Sequence, residues 1–349
     1  MFVQTAGGAL LNVAAGSLLG CRVDHEMHSM MDGGAAAQNL PFLTPVDDFY
    51  RAFGGRNTID GWTMPQINSA KFTMKIDGLV STPTEISLAD LQSDTQNHVT
   101  TLNTMMCVLG YRSTAIWKGV PLRVLLDRSG VDRKRAVRMR VLGADGFENN
   151  LRINDIEQSP DDIIEPLVVF QIYDQPLPVE LGFPFRLMLS DRYGYKCVKW
   201  IERIEITDID EPTGQYQERG YSDEGVIEPV ATVENHPVST HLPAGRVQLA
   251  GIALSGYAGV DAVEVALDGS AYERATLTQR DKVFRAYPEL TTTRQLAESA
   301  RFMWPFRGVW ILWNHAFELS PGEHSVGLRV RDKAGQVGDA TSLRLTAVG

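Results

Sequence analysis

The sequence of 349 residues contains only three cysteines, Cys21, Cys107 and Cys197, and none of them has CxxC or CxxCH spacing. Three cysteines are too few for a disulfide framework, and their spacing excludes the usual zinc, redox and haem c motifs. If this protein binds a metal, the chain itself must supply few of the ligands.

An excess of positive charge is also missing. The 33 Lys and Arg residues are outnumbered by 43 Asp and Glu, which gives a net charge of −10. Because a negative field repels phosphate backbones and anionic lipid heads, nucleic acid is not an expected partner. The chain also lacks the GxGxxG and GxxxxGK[ST] motifs that hold phosphates in nucleotide-binding folds.

Ionised side chains are absent from the first 21 residues, and residues 6–20 are apolar and rich in small side chains. This stretch is short and weakly hydrophobic for a membrane span and is typical of an export signal. Leu18-Leu-Gly-Cys21 resembles a lipoprotein cleavage box, which would make Cys21 the lipidated first residue of the mature chain. We expect the start to be truncated, with an upstream Arg-Arg pair completing a twin-arginine signal and a periplasmic or exported location. A buried or disordered N-terminal tail is the alternative, and residues 22–40 have the composition of a linker.

The length exceeds what one hydrophobic core usually spans, so two domains are expected after residues 1–40. Residues 41–228 mix both kinds of element. Helices are predicted after the capping Ser87 and over 121–128, and strands over 72–78, 136–141, 167–173 and 196–207. Strands with interspersed short helices predict an α+β domain.

Residues 229–349 show a different pattern. Strands are predicted over 246–255, 263–267, 308–313 and 325–331, separated by turns at Asp268-Gly269, Pro321-Gly322 and Ala334-Gly335, with no long helical period. About seven short strands are typical of an immunoglobulin-like sandwich. A polar connector at 234–245 marks the boundary, and the expected role of this domain is association.

Several segments of residues 41–349 resemble, in order, the sulfite oxidase family of molybdopterin-dependent oxidoreductases. The opening Thr44-Pro-Val-Asp-Asp-Phe-Tyr-Arg51 is similar to that family's first motif, and Thr101–Leu126 is similar to its molybdenum-ligand segment. The cofactor and active-site segments of the family resemble Gly182–Leu187, Tyr193–Ile204 and Gln215–Tyr221. The resemblance implies a molybdopterin-binding catalytic domain over 41–228 and a sandwich-shaped dimerisation domain over 229–349.

The resemblance also implies a role for particular residues. Cys107 would be the protein's one metal ligand, because a pyranopterin dithiolene already supplies two sulfurs, and a thiolate suits a soft metal. The residues implied in cofactor binding are Arg51, Arg186, Lys196 and Lys199. Arg112 would grip a sulfur oxyanion with its planar guanidinium, and Tyr221 would place a phenol beside the metal. The alternatives are an inert buried Cys107, structural ion pairs for the cations and a half-buried turn for Tyr221.

The other cysteine of this region, Cys197, is predicted to lie within a strand between Lys196 and Val198 and to serve packing. The strand's two-residue period would place Lys196 and Lys199 on opposite faces. Only one of these lysines would then reach the cofactor phosphate directly, and Lys199 is preferred because it matches the family's Val-Lys-Trp.

The implied activity is oxygen-atom transfer on a small anionic sulfur compound, with sulfite oxidation to sulfate as the leading candidate. A sulfoxide reductase of the same family is the alternative enzyme, and a non-catalytic exported scaffold is the alternative outside enzymes. The segment after Cys107 reads Val-Leu-Gly-Tyr, which leaves a less cationic rim than many members have. This chain has no haem motif, so electrons would leave to a separate carrier such as cytochrome c. A homodimer is expected.

Overall fold

The computed structural model describes residues 40–51, 64–235, 241–338 and 340–349. The expected export signal with Cys21 and almost all of the expected linker lie outside the described residues. Within the described part of the chain, every helix is too short or too polar to cross a membrane.

The described chain as far as residue 207 forms ten strands and three short α-helices. The strands are β1 (Thr73–Gly78), β2 (Thr84–Ser87), β3 (Val99–Met106), β4 (Arg112–Pro121), β5 (Arg138–Gly143), β6 (Glu148–Arg152), β7 (Leu167–Ile172), β8 (Gln175–Pro176), β9 (Arg186–Met188) and β10 (Ile201–Thr207). The helices are α1 (Leu88–Ser93), α2 (Leu122–Ser129) and α3 (Ile153–Glu157).

Local sequence signals explain where the first helices begin and end. Ser87 caps α1, because its hydroxyl accepts from the Asp90 N–H at 3.2 Å while the Asp90 carboxylate accepts from the Ser87 N–H at 2.8 Å. Helix α2 ends at Gly130, whose φ of +64° is a left-handed conformation that glycine adopts without a Cβ clash. Helix α2 thus confirms the predicted helix at 121–128, and β1 confirms the predicted strand at 72–78.

Two sheets organise this first region. One has the order β2-β1-β10-β5-β6, with β1 and β10 parallel, and the other has the order β3-β4-β7-β8, with β9 paired to β7. Both sheets contribute to a single large hydrophobic core. This mixture of sheets and short helices confirms the expected α+β character.

The remaining described chain is rich in strands. They are β11 (Val230–Val233), β12 (His241–Pro243), β13 (Gly245–Leu254), β14 (Val260–Leu267), β15 (Glu273–Arg274), β16 (Thr276–Leu277), β17 (Ile311–Leu319), β18 (Gly322–Asp332) and β19 (Thr341–Val348). They form one sheet of order β11-β13-β17-β16 and another of order β12-β19-β18-β14-β15. Residues of both sheets share a second, smaller core.

The segment between β16 and β17 differs from the expected strand-only pattern. It contains α4 (Arg280–Ala286), a 3₁₀ helix (Pro288–Thr292) and α5 (Arg294–Ala297). Val283 and Leu290 from this segment are buried in the larger core, and the Gln295 side chain bonds Leu102 of β3. These short helices carry apolar residues that pack on the first region, and they are too brief to give a clear helical period in the sequence.

The aromatic side chains near residue 310 are buried between the two regions. Phe306 and Trp310 belong to the larger core, and Trp313 belongs to the smaller one. The Trp310 indole Nε1 donates to the carbonyl of Phe42 at 2.7 Å. These three rings are buried within one chain and are therefore not available as contacts for a dimer.

Candidate cofactor and active site

One pocket in the first region brings together many of the residues singled out from the sequence. Its volume is about 690 Å³ when the open solvent at its mouth is included. The lining residues are Tyr50, Met105, Cys107, Val108, Asp145, Phe147, Glu180, Leu181, Arg186, Gly194, Tyr195, Cys197, Lys199 and Tyr216.

Cys107 sits in the tight connection between β3 and β4. Its N–H donates to the carbonyl of Tyr111 at 2.7 Å, and its own carbonyl accepts from the Gly110 N–H at 2.9 Å. Gly110 has a φ of +89°, which lets the chain reverse here. The Cys107 side chain is only 6% exposed and lines the pocket. A thiol on a short turn is thereby presented to the cavity.

Cys197 also lines the pocket, but its surroundings differ from those expected. The predicted strand over 196–207 is wrong at its start, because Gly194–Lys196 forms a 3₁₀ helix and β10 begins only at Ile201. The Cys197 sulfur accepts from the Leu189 N–H at 3.4 Å, and burial raises the pKa of its thiol. A protonated, hydrogen-bonded thiol suits the predicted packing role.

Arg186 contributes a fully enclosed positive charge to the pocket. Its Nη1 donates to the carbonyl of Leu181 at 3.0 Å, and its Nη2 donates to the carbonyl of Cys197 at 2.8 Å. The residue is 4% exposed, and burial lowers the pKa of its guanidinium. In the described part of the chain its charge is met by carbonyl dipoles and by no carboxylate ion pair, so it can still attract an anion.

The two lysines of this segment have separate environments. Lys199 lines the pocket, and its Nζ donates to the carbonyl of Glu180 at 2.9 Å and lies 4.2 Å from the centre of the Trp200 ring. Lys196 is fully buried outside the lining, where its Nζ donates to the Asn150 carbonyl at 2.9 Å and lies 3.6 Å from Asp223. Burial lowers the pKa of Lys196 to about 8. The prediction that a strand places the two lysines on opposite faces was wrong, because Lys196 ends a 3₁₀ helix. The two side chains nevertheless point to different places, since only Lys199 lines the pocket.

Asp145 is a pocket residue that the sequence analysis missed. One of its carboxylate oxygens accepts from the Phe147 N–H at 3.0 Å. Burial raises the pKa of Asp145 to about 6, although the nearby charge of Lys199 acts in the opposite direction. Its signal in the sequence was an Asp-Gly turn after a strand, which is indistinguishable from many structural turns.

Three tyrosine rings join the pocket to the surface. Tyr195 and Tyr216 line the pocket and stack with ring centres 4.6 Å apart. Tyr221 lies outside the lining, 38% exposed, with its ring centre 5.1 Å from that of Tyr216 and 5.9 Å from that of Tyr195. Tyr216, which the sequence analysis did not single out, is therefore nearer the cavity than the predicted Tyr221.

Arg112 also lies outside the pocket lining. Its Nη1 donates to the carbonyl of Gly110 at 2.6 Å, its Nη2 donates to the Thr232 hydroxyl at 2.9 Å, and its guanidinium pairs with Glu234. Burial lowers the pKa of Arg112 to about 10, so the group stays protonated at neutral pH. The predicted substrate-gripping arginine is thus engaged by the C-terminal region.

Arg51 follows directly after the pocket residue Tyr50. Its Nε is buried and has no hydrogen-bond partner within the described residues, which include neither 52–63 nor 1–39. A buried donor of this kind costs free energy unless an acceptor reaches it.

These residues fit a molybdenum–pyranopterin group. Within the described part of the chain no cluster of three or more His, Cys, Asp or Glu could hold a metal ion, so a metal here would need a ligand that is not protein. The pocket offers two thiols, Cys107 on a short turn and the hydrogen-bonded Cys197, together with two cations at Arg186 and Lys199 for an anionic phosphate and flat rings at Tyr195 and Tyr216. This donor set matches a cofactor that brings its own sulfur ligands.

Sequence comparison supports the same group. Residues 61–215 match the family model described as an oxidoreductase molybdopterin binding domain. A nitrate reductase [NADPH] of Phytophthora infestans is 29% identical over 189 residues, and nitrate reductase [NADH] 2 of Nicotiana tabacum is 31% identical over 185 residues. Each alignment covers 48% of this chain and 20% of the relative, so the chain spans about a fifth of these enzymes.

Two further matches extend the picture. A putative protein-methionine-sulfoxide reductase subunit of Azospira oryzae is 28% identical over 159 residues, covering 45% of this chain and 56% of that protein. The solved structure of the sulfane dehydrogenase SoxCD from Paracoccus pantotrophus superposes with a TM-score of 0.67 and 17% identity, covering 95% of this chain and 86% of that one. The structural match shows that nearly the whole described fold recurs in that enzyme.

Proposed function

Since the chain belongs to the sulfite oxidase family of molybdopterin-binding oxidoreductases, we propose that it transfers an oxygen atom to a small sulfur compound, with sulfite as the first candidate. Oxidation of sulfite by water yields sulfate, two protons and two electrons. The electrons would pass to an external carrier.

The observation that carries this proposal is that the Cys107 thiol and two cations line a single pocket. Cys107 reaches the cavity from the β3–β4 turn, while Arg186 and Lys199 reach it from β9 and from the segment before β10. Arg186 and Lys199 are also paired by an isolated antiparallel β-bridge, so their positions depend on each other. A buried thiol is common in proteins, but a thiol that shares a pocket with two cations suits an anionic metal cofactor.

The residues of the chain would divide the work as follows. When bound, the molybdenum–pyranopterin group supplies a two-electron redox centre that exchanges an oxygen atom with the substrate. Cys107, once deprotonated, would hold the metal, and Arg186, Lys199 and Arg51 would hold the pterin and its phosphate. Asp145 can retain one of the released protons, because its pKa of about 6 lies near neutrality.

The roles of Arg112 and Tyr221 remain part of the proposal. For Arg112 to grip a substrate anion, its guanidinium must turn from Glu234 toward the pocket. Tyr221 would act at the outer edge of the tyrosine stack, with Tyr216 as the phenol nearer the cavity. The role of Arg112 thus requires its side chain to move, and the role of Tyr221 requires contact through Tyr216. Cys107 differs from both, because it lines the pocket directly.

Reduction of a sulfoxide is the second candidate. The rim beside Cys107 is apolar, since Val108 lines the pocket and Leu109 is 48% exposed. An apolar rim suits a neutral organic substrate better than a dianion. The Azospira relative, named as a methionine-sulfoxide reductase subunit, adds weight to this candidate. The comparisons give no support to a non-catalytic scaffold.

The deciding experiment begins with metal and pterin analysis of the purified chain. We expect about one molybdenum per chain. Anaerobic titration with sulfite, methionine sulfoxide and nitrate, followed by the visible spectrum, then identifies the substrate class and the direction of electron flow. Absence of molybdenum after expression in a cofactor-producing host would defeat the proposal.

We propose that the electrons leave near Tyr221 toward a positively charged redox protein such as cytochrome c. The stack of Tyr195, Tyr216 and Tyr221 runs from the pocket to the surface. Exposed Glu218 and Glu224 stand three residues before and after Tyr221 in the sequence, and the exposed Arg219 lies 5.9 Å from the Tyr216 ring. Acidic groups at a surface steer a cationic partner.

The division of the chain is likewise a proposal: a catalytic domain over 41–228 and an immunoglobulin-like domain over 229–349 that forms a homodimer. Support comes from the second core, which both C-terminal sheets share. Residues of the 283–310 segment nevertheless pack into the first core.

A further inference from the structure

We propose that Glu234 is a positioning residue for Cys107, acting through Arg112. This inference rests on the proposed function only in taking Cys107 as the metal ligand. It gives the C-terminal region a role in holding the site together, in addition to the expected role in association.

The turn that presents Cys107 is poorly fixed by packing on its outer side. Leu109 is 48% exposed, and a Cβ placed on Gly110 would meet nothing within 4 Å. Two backbone hydrogen bonds close the turn upon itself, from Gly110 to Cys107 and from Cys107 to Tyr111. Neither of them ties the turn to another part of the fold.

Arg112 provides such a tie. Its Nη1 donates to the Gly110 carbonyl at 2.6 Å, inside the turn, while its Nη2 donates to the Thr232 hydroxyl at 2.9 Å. Thr232 lies on β11, more than a hundred residues away in sequence, and β11 is itself paired with β13 of the C-terminal sheet. One guanidinium therefore links the cysteine turn to the C-terminal region.

Glu234 holds that guanidinium in place. Its carboxylate pairs with Arg112 and also accepts from the Thr232 hydroxyl at 2.5 Å, so the three side chains form a closed set. The Arg112 and Glu234 side chains are 17% and 21% exposed, so water competes weakly for either charge. A charge-assisted contact in such surroundings is stronger than one on an open surface.

Removal of the Glu234 carboxylate would change how firmly the Cys107 sulfur is directed into the pocket. Without Glu234 the guanidinium loses its counter-charge and can turn toward solvent, which releases the Gly110 carbonyl. The turn then opens more often, and the thiol becomes accessible from outside the pocket.

The test uses the full chain in two forms, with its cofactor and from cells that cannot make the pterin. Iodoacetamide alkylation of Cys107 and Cys197 is followed over time by peptide mass in wild type, Glu234→Gln and Glu234→Asp. In the cofactor-free form we expect Glu234→Gln to raise the Cys107 rate about tenfold, as loss of one charge-assisted contact implies. The Cys197 rate should stay unchanged, and Glu234→Asp should restore most of the protection.

Two controls separate positioning from general loosening. Asp261→Asn breaks the exposed Arg274–Asp261 pair in the same region and should leave both rates unchanged. Thr232→Val removes the hydroxyl link but keeps the Glu234 charge, and should raise the Cys107 rate by a smaller factor. In the loaded form, Glu234→Gln should shift the visible absorption of the metal centre while molybdenum content stays at the wild-type level.

Equal acceleration at Cys107 and Cys197 would mean global destabilisation and would overturn the inference, as would an unchanged Cys107 rate. These outcomes differ from failure of the proposed function, which would appear as absence of molybdenum or of oxygen-atom transfer in the wild type. The alkylation ratio in the cofactor-free chain does not depend on either.

Discussion

The guanidinium of Arg186 donates a 2.8 Å hydrogen bond to the carbonyl of Cys197, so a buried cation is fixed to the turn that carries the second pocket cysteine. Its Nη1 donates to the carbonyl of Leu181 at 3.0 Å, and its Nε donates to the carbonyl of Leu187 at 3.4 Å. Because backbone carbonyls rather than carboxylates hold Arg186, its positive charge is directed by the fold without being neutralised. A buried cation held in this way would favour an anionic group in the pocket.

The two pocket cysteines should respond differently to replacement by serine. Cys107→Ser should abolish turnover and leave the fold intact, because a hard hydroxyl replaces a soft thiolate of similar volume. Cys197→Ser should keep molybdenum and most activity. Steady-state rates, metal content and circular dichroism of both variants check this expectation. Loss of molybdenum from Cys197→Ser alone would reverse the assignment.

Replacement of Lys199 should affect cofactor binding, whereas replacement of Lys196 should affect the stability of the fold. Lys199→Met should lower pterin and molybdenum content with little change in unfolding, because Lys199 faces the pocket. Lys196→Met should keep cofactor content but lower the free energy of unfolding by about 1–3 kcal/mol, because Lys196 bonds Asn150 and Asp223 in the interior. Urea titration and pterin fluorescence measure the two effects. Lys118→Met is the control, because Lys118 pairs with Asp174 and neither residue lines the pocket.

Much of the fold could be predicted because local signals carried it. The capping pair Ser87 and Asp90, the stop at Gly130 and the alternation through β1 each specify structure within a few residues. The segment before β10 was misassigned for the opposite reason. Lys196, Cys197 and Trp200 resemble a strand by composition, but tertiary hydrogen bonds place them in a 3₁₀ turn and a positive-φ position.

The site was only partly foreseeable for the same reason. Cys107, Arg186 and Lys199 lie in motifs whose resemblance to a known family predicts a metal or cofactor role, and the fold brings them into one pocket. Arg112 has an equally suggestive spacing from Cys107, but its partner Glu234 is more than a hundred residues away, and no local pattern announces that pair. Asp145 acquires its raised pKa from burial, which sequence alone does not reveal.

The raised pKa of Asp145 predicts that Asp145→Asn increases the free energy of unfolding, and that the increase depends on pH. Its ordinary value is 3.8, and in the fold it is about 6. Below pH 3.8 both states bind the proton; between 3.8 and 6 only the unfolded state releases it, so the wild type loses stability as pH rises. Asp145→Asn should avoid this loss and exceed wild-type stability by up to about 3 kcal/mol above pH 6. A stability difference that does not grow from pH 4 to pH 7 in urea titrations would contradict this.

A homodimer is expected from the C-terminal region, although the buried Trp310 and Trp313 cannot supply its contacts. Exposed apolar side chains that remain available there include Tyr272, Met303 and Val348. Sedimentation equilibrium at micromolar concentration should give twice the chain mass. A single-chain mass under those conditions would remove the expectation.

Arg112→Gln should decide between gripping the substrate and positioning the cysteine turn. Loss of one charge-assisted contact costs about 1.5–3 kcal/mol, which corresponds to about a 10- to 150-fold fall in kcat/KM. If Arg112 grips the substrate, the loss should fall mainly on KM for an anion such as sulfite and spare a neutral sulfoxide. If Arg112 fixes the turn, the loss should fall on kcat for every substrate, and Glu234→Gln should reproduce it. Molybdenum content should stay constant in either case, since Cys107 and the pterin pocket remain, and loss of the metal would instead make Arg112 a cofactor anchor.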